Sequence, residues 1–357
     1  MTQQQLTEYN LGRSLDGLAN LDPRGYGVCR ILYDAARREM GEPLTMHAAR
    51  RLAAAVKRED FVYILTGFVL LPHKKAETDG IIGAVLLARA LVKAFGAKPV
   101  LVCPAESAEA AHALAGVCGL HSYDAAEEIR ELPVAMAVIP FPKAQEQATA
   151  QADALLAGAF PCAVVSIEAP GANGRGEYHN AAGLNVTALE AKLDVLFAKC
   201  QEAGVPSIAV GDLGNEIGMG RIAPQLARYV PRAGPGRCRC GCGGGIAAAT
   251  AADCLVTATV SDWGCYGMIA ALAFLMEDIE LLHDADLERE ACAAAVRAGL
   301  VDMHGWRVPA IDGFGLAMNT SIVTLMRECV TESLRLRQSC KPWFEEVIAL
   351  GFYEGKA

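Results

Sequence analysis

The residues best equipped for chemistry are three oxygen side chains set among glycines. Asp212, Asn215 and Glu216 lie in V-G-D-L-G-N-E-I-G-M-G, residues 210–220. A turn or helix cap needs one such residue. Here there are three, with glycines that let the backbone fold tightly and approach a ligand. Other loops carry the same kind of side chain. Glu77-Thr78-Asp79-Gly80 stands before a helix, Glu168 opens a loop that also holds Arg175, Glu177, His179 and Asn180, and Ser261-Asp262-Trp263-Gly264 follows a later strand. Each acid taken singly reads as a solvated surface group. Brought together, carboxylates repel and need a shared proton or a divalent cation. Oxygen-rich sets suit hard ions such as Mg²⁺ or Mn²⁺.

Alternating strands and helices must position these loops. The apolar run 205–210 reads as a short buried strand closed by Gly211, with a helix expected to begin near Asn215. From Phe61 the pattern predicts strands at 61–71, 99–103, 134–140, 162–168 and 254–260. Helices are expected between them: from Gly80, over 107–118, 143–157 and 189–203, and again from Gly264. The loop after Glu168 runs for roughly twenty residues, a length that is usually functional. The implied fold class is α/β: a doubly wound, mostly parallel sheet with right-handed crossovers and helical N- and C-terminal additions. Its strand ends share one edge, where open α/β sheets bind ligands. The expected division is a helical extension over 1–60 packed on the core, an α/β domain over 61–313, and C-terminal helices over 314–357. Within the first segment the turn 21–27, L-D-P-R-G-Y-G, offers an Asp and an Arg that either face a site or only shape the turn.

Composition narrows the function classes. The 357 residues are 53% hydrophobic and 20% charged, which is globular and long enough for one large or two medium domains. A formal net charge of −9 and the lack of a basic run argue against nucleic acid or an anionic membrane as partner. The longest apolar run, 264–276, is too short to span a bilayer. The first residues show no signal or transit pattern, so a soluble cytoplasmic protein is expected. Thirteen cysteines, an odd number, argue for reduced thiols over a disulfide framework. The run G-R-C-R-C-G-C-G-G-G (236–245) has neither C-x-x-C pairs nor a second cluster, so Cys238, Cys240 and Cys242 are expected to be incidental thiols on a mobile Gly-rich loop. Cys254 or Cys265 would add a fourth thiolate only through folding. The glycine runs match no dinucleotide fingerprint or P-loop, and no G-x-S-x-G elbow is present. His73, His179, His283 and His304 have no obvious nucleophile partner, which disfavours a Ser-His-Asp hydrolase.

At these same loops the sequence resembles the D-glutamate cyclase family. The matching segments are T-G-F-V-L-L-P-H-K-K-A-E-T-D-G-I-I-G-A (66–84), I-E-A-P-G-A-N-G-R-G-E-Y-H-N (167–180), G-V-P-S-I-A-V-G-D-L-G-N-E-I-G-M-G (204–220) and V-S-D-W-G-C-Y-G (260–267). They occur in the family's order, and the resemblance runs from about Thr66 to Gly313. S-D-W-G stands where the family usually has S-N-W-G, which adds a carboxylate at Asp262. Ala317 and Asn319 stand where many relatives have an acidic residue and a His, and the C-x-C-x-C loop is not a general family feature. The extra N-terminal domain and mitochondrial targeting of the animal relatives are not expected.

The resemblance implies a lyase that closes D-glutamate to 5-oxo-D-proline with loss of water, the α-amine attacking the γ-carboxyl carbon. Such a site needs a base, an acid and something to neutralise a carboxylate. Residue chemistry then gives Asp212, Asn215 and Glu216 catalytic roles. It puts Glu77, Asp79, Glu168, Asp212 and Glu216 on a divalent metal, Mn²⁺ or Mg²⁺. Arg175 or Lys74 would clamp the α-carboxylate, with Asn180, Asp262 and Trp263 completing the substrate pocket. The expected partner is a small acidic substrate, and the apolar fraction is compatible with a homo-oligomer. Two other readings stay open: a metal-dependent phosphohydrolase acting on small phosphate compounds, and a non-catalytic binder of an acidic amino acid.

Overall fold

The computed structural model describes residues 1–355; Lys356 and Ala357, the end of the expected C-terminal helical segment, lie outside the described residues. Three helices come first, α1 (Gln3–Ala19), α2 (Val28–Met40) and α3 (Leu44–Ala55). Then follow β1 (Phe61–Thr66), a hairpin of β2 (Val69–Leu70) and β3 (Lys75–Ala76), α4 (Ile81–Phe95), β4 (Lys98–Cys103), α5 (Ala105–Val117), β5 (His121–Tyr123) and β6 (Ala135–Pro140). The chain continues through α6 (Gln145–Gly158), β7 (Pro161–Ile167), α7 (Leu193–Glu202), β8 (Ser207–Gly211), α8 (Ala223–Tyr229), β9 (Cys254–Thr257) and α9 (Ser261–Leu275). It closes with α10 (Ala285–Arg297), a hairpin of β10 (Ala310–Ile311) and β11 (Phe314–Gly315), α11 (Leu316–Ser339) and α12 (Lys341–Ala349).

Seven strands form one sheet in the order β5-β6-β4-β1-β7-β8-β9, and every neighbouring pair is parallel. This is a doubly wound α/β fold. Its central strands are buried on both faces, which is why they read as continuous apolar runs without alternation. From β1 the chain builds outward through β4 and β6, then returns to lay β7, β8 and β9 on the other side. The switch point therefore lies between β1 and β7, where a crevice opens at the carboxyl ends of the strands.

Helix α9 sits at the centre, buried from Ser261 to Phe274. It packs on α4 and on an outer group of α1, α3 and α11. A helix apolar all round requires cover on every side. Small residues allow that cover to come close: a Cβ at Gly264 would meet Val210 Cγ1 at 2.7 Å, and one at Gly267 would meet Thr45 Cγ2 at 2.8 Å. Residues of the N- and C-terminal helices share a core with the sheet, from Leu11 to Val330. Among the described residues no helix is long and apolar enough to cross a membrane.

Some elements depart from the pattern reading. The first strand stops at Thr66, because Gly67 takes φ +108° and the chain turns into the β2–β3 hairpin. The half-exposed edge strand β5 is three residues long, too short to show a period. The helix expected near Asn215 starts at Ala223, after a single 3₁₀ turn at Gly220–Ile222.

Candidate active site

The loops at the carboxyl ends of β1, β7 and β8 converge on one cavity of about 230 Å³ at the switch point. Glu77, Asp79, Glu168, Asp212, Asn215 and Asp312 line it, together with Asn180 and the apolar residues Phe68, Val69, Leu70, Leu71, Leu213 and Met303. Each acid is placed by local backbone chemistry. Glu77 donates its backbone N–H to Phe68 O (3.0 Å), and Thr78 is fixed to Val301 O (2.9 Å) and Ala310 O (2.7 Å). These bonds carry the chain through Asp79 into α4. Gly80 follows at φ +83°, where a Cβ would meet Glu168 Cβ at 2.5 Å. Only glycine lets this turn lie against Glu168. Glu168 itself has φ +46° and accepts the Ser261 hydroxyl at 2.6 Å. Asp312, in the β10–β11 turn, has φ +47°. Left-handed backbone at two non-glycine acids is strain held in place by the surrounding structure, and it collects at ligand sites.

After β8, Glu216 folds back over its own loop. Its carboxylate accepts the N–H groups of Leu213 (2.8 Å) and Gly214 (2.7 Å), which keeps the segment out of a helix and turns Asp212 inward. Asn215 donates to His179 O at 3.0 Å. Two buried oxygens, Asp212 Oδ1 and Asn215 Oδ1, have no hydrogen-bond partner. Unpartnered buried oxygens are costly unless a ligand or ion completes them.

Burial, reinforced by neighbouring acids, pushes the carboxyls of Glu77, Glu168, Asp212 and Asp262 well above the ordinary range. Asp79 rises to about 7 through burial and the charge of Asp312, although three backbone N–H groups pull against the shift. The opposing cation is Arg24, whose side chain is 16% exposed and pairs with the Asp312 carboxylate and backbone carbonyl. Its guanidinium also stacks 4.6 Å from the Phe314 ring. Burial leaves Asp312 raised too, but Arg24 and a hydrogen bond with Asp212 hold the shift back. Of this pair Asp312 is thus the more readily ionised, with the shared proton on Asp212. Two sets of carboxylate oxygens lie within 4.8 Å of one another: Asp79, Asp212 and Asp312, and Glu168, Asp212 and Glu216. Asp212 belongs to both.

The structure brings together Glu77, Asp79, Glu168, Asn180, Asp212 and Asn215 in the cavity, with Glu216 directly behind them. It does not bring the expected clamps there. Lys74 and Arg175 are exposed at turns and do not line the cavity. Trp263 is fully buried and donates its indole N–H to Asn319 at 2.9 Å. Asp262 is buried beneath the site and accepts the N–H groups of Gly80 (3.0 Å) and Gly83 (2.8 Å), so it holds a helix terminus in place. Asp312 was not singled out from sequence, and Arg24 only as one of two polar residues in its turn.

A family model described as "D-glutamate cyclase-like, C-terminal" matches residues 15–327. The human protein "D-glutamate cyclase, mitochondrial" is 34% identical over 113 residues. That stretch is 31% of this chain and 17% of the human protein, so the match spans about a sixth of that relative's length.

Proposed function

The chain belongs to the D-glutamate cyclase-like family, and on that premise we propose that it cyclises D-glutamate to 5-oxo-D-proline with loss of water in the carboxyl-lined cavity. The observation that carries this reading is the set of buried acids at the switch point, some favoured neutral and one, Asp312, drawn toward ionisation by its pairing with Arg24. Ring closure makes one C–N bond and breaks one C–O bond. The two protons that the nitrogen loses are the two that the departing oxygen gains, so the site's acids end as they began. An ionised carboxylate takes a proton from the substrate ammonium and frees the lone pair for attack on the γ-carbon. A neutral carboxyl gives its proton to the departing oxygen. Acids of both kinds in one buried cavity supply both roles at neutral pH.

Asp212 is our choice for the proton-transferring group, because it lines the cavity, leaves Oδ1 unpartnered and lies within hydrogen-bond reach of Asp312. Asn180 and Asn215 line the same cavity and are our choice to orient the substrate's polar groups, with Phe68, Val69 and Leu70 as the apolar wall for its methylenes. The acid sets fit a hard cation, since they offer only oxygens and the one residue they share, Asp212, has a buried oxygen without a partner. A divalent ion such as Mn²⁺ or Mg²⁺ held by Asp79, Asp212 and Asp312, or by Glu168, Asp212 and Glu216, would neutralise the acids and polarise the γ-carboxylate. Thirteen free cysteines fit a reducing compartment, and we place the protein in the cytoplasm.

The test is purified protein with D- or L-glutamate, with Mn²⁺, Mg²⁺ or EDTA, following 5-oxoproline by chromatography. Product from D-glutamate is expected, and abolition by EDTA would support the metal. No product under any condition would overturn the assignment. One observation favours a second reading: Asp212 is shared by two ligand sets, as a bridging carboxylate is in two-metal phosphohydrolases. Phosphate release from small phosphoesters with Mn²⁺ would identify that activity.

A further inference from the structure

A second cluster lies beside the cavity and shares no ligand with it. The Gly-rich loop after α8 folds back onto the loop after β7, so that three cysteines meet His179. Nε2 of His179 lies 3.1 Å from Cys240 Sγ and 3.7 Å from Cys242 Sγ. Cys238 Sγ lies 3.4 Å from Cys242 Sγ and 3.7 Å from Cys240 Sγ. All four donor atoms fall within 4.8 Å of one another. In a tetrahedral zinc site, Zn–S bonds of about 2.3 Å and a Zn–N bond of about 2.0 Å place sulfurs about 3.8 Å apart and sulfur and nitrogen about 3.5 Å apart. The observed separations scatter around those edges. They are far longer than a disulfide's S–S bond of about 2.05 Å.

We infer that Cys238, Cys240, Cys242 and His179 form a structural Cys₃His zinc site that ties the Gly-rich loop to the cavity wall. The backbone is built for it. Gly236, Gly241, Gly243 and Gly245 all take left-handed φ, between +74° and +81°, a region where a side chain would be strained. Those turns wind the chain so that cysteines two residues apart face one point. Donors surround the sulfurs: Gly244 N–H is 3.4 Å and Asn173 Nδ2 3.6 Å from Cys242 Sγ. The Asn173 amide also bonds Gly245 O at 2.7 Å and lies 3.4 Å from His179 Nδ1, so one side chain orients both the loop and the imidazole. Outer contacts of this kind fix ring orientation at zinc sites. With all four positions filled by protein, the site is of the structural type. It adjoins the cavity through His179, whose carbonyl accepts the Asn215 amide at 3.0 Å, and through the next residue, Asn180, which lines the cavity. The proposal stands apart from the cyclase reading, because none of its ligands belongs to the carboxyl sets.

The full chain, produced in zinc-supplemented medium and desalted under reducing conditions, is assayed for metal by mass spectrometry. About one zinc per chain is expected. Cys240→Ser and His179→Ala should each lose it, while Asp212→Asn keeps it. Cys240 is exposed, so its variant should fold, and circular dichroism checks this. Exchange of zinc for Co²⁺ in the unmodified protein gives a readout that needs no variant: thiolate-to-cobalt charge transfer with intense tetrahedral d–d bands. Absence of zinc, iron in its place, full zinc retention by Cys240→Ser, or a cobalt spectrum without thiolate bands would each overturn the site.

Discussion

Asp79 and Asp262 cap each other's helices. The Asp79 carboxylate accepts the N–H groups of Ser261 (3.0 Å) and Asp262 (2.8 Å) at the start of α9, and Asp262 Oδ1 accepts those of Gly80 (3.0 Å) and Gly83 (2.8 Å) at the start of α4. Two helices thus begin against one another beneath the cavity, and the positive ends of their dipoles support the acids above. This exchange explains why α9 starts at Ser261, and it makes Asp79 one of the most firmly oriented groups in the site.

The first prediction follows from which oxygens are used. Both bonds to α4 go to Asp262 Oδ1, whereas Oδ2 is buried without a partner. Asp262→Asn can keep both bonds through its carbonyl and removes a buried acid that resists ionisation. Its stability at neutral pH should stay within about 1 kcal/mol of the parent or exceed it. Asp262→Ala leaves the buried Gly83 N–H unmet and takes one of its two acceptors from Gly80 N–H, and should cost about 1–3 kcal/mol. Urea unfolding of the three proteins tests this; equal losses for Asn and Ala would refute the capping role.

Asp212 and Glu216 stand four residues apart, but they should fail in different ways. Asp212 Oδ1 points into the site unpartnered, so Asp212→Asn should lower kcat/KM at least about 100-fold with little loss of stability. Both Glu216 oxygens accept backbone N–H groups, and a Gln there would turn its own amide against one of them. Glu216→Gln should therefore lose about 1–3 kcal/mol of stability as well as activity. Paired turnover and unfolding measurements separate the two, and a Glu216→Gln protein of parental stability would contradict the loop-holding role.

Legibility in the sequence tracked how local each feature is. Asp79, Glu168 and Asp212 were readable because each sits in or beside a Gly-rich turn at a strand end, and a parallel sheet puts such ends on one edge. Lys74 and Arg175 belong to the same loops, yet sequence proximity says nothing of side-chain direction, and both face solvent. Asp312 and Arg24 come from opposite ends of the chain and meet only because α1–α2 and the β10–β11 hairpin close over α9. The cysteines lacked a familiar zinc spacing because their fourth partner, His179, precedes them on another loop. No local period could signal these last pairings.

Arg24 should matter through Asp312. Removing the guanidinium leaves that buried acid with less reason to ionise, since Arg24 is what offsets its burial. Arg24→Ala is expected to lower activity by about 10-fold or more and to move the acidic limb of the pH–rate profile upward. Arg24→Lys keeps the charge but not the two-pronged contact to carboxylate and carbonyl, and should fall between. An unchanged acidic limb in Arg24→Ala would remove Asp312 from the ionised role.

Glu190 makes the folded state sensitive to alkali. It is buried beside β2, its carboxylate bonds Val69 N–H at 3.3 Å, and burial pushes it up to about 8 against the pull of Val69, Lys143 and Lys192. An acid raised on folding binds its proton more tightly in the native state. Its stabilising contribution is whole below the unfolded value near 4.5 and is lost as pH climbs through about 8. Between those limits the loss is at most about 1.4 kcal/mol per pH unit. Glu190→Gln keeps an acceptor for Val69 and has no charge to bury. Urea midpoints should therefore nearly coincide at pH 5 and diverge in favour of Glu190→Gln at pH 9. Parallel curves across that range would show that the Glu190 proton does not govern the alkaline loss.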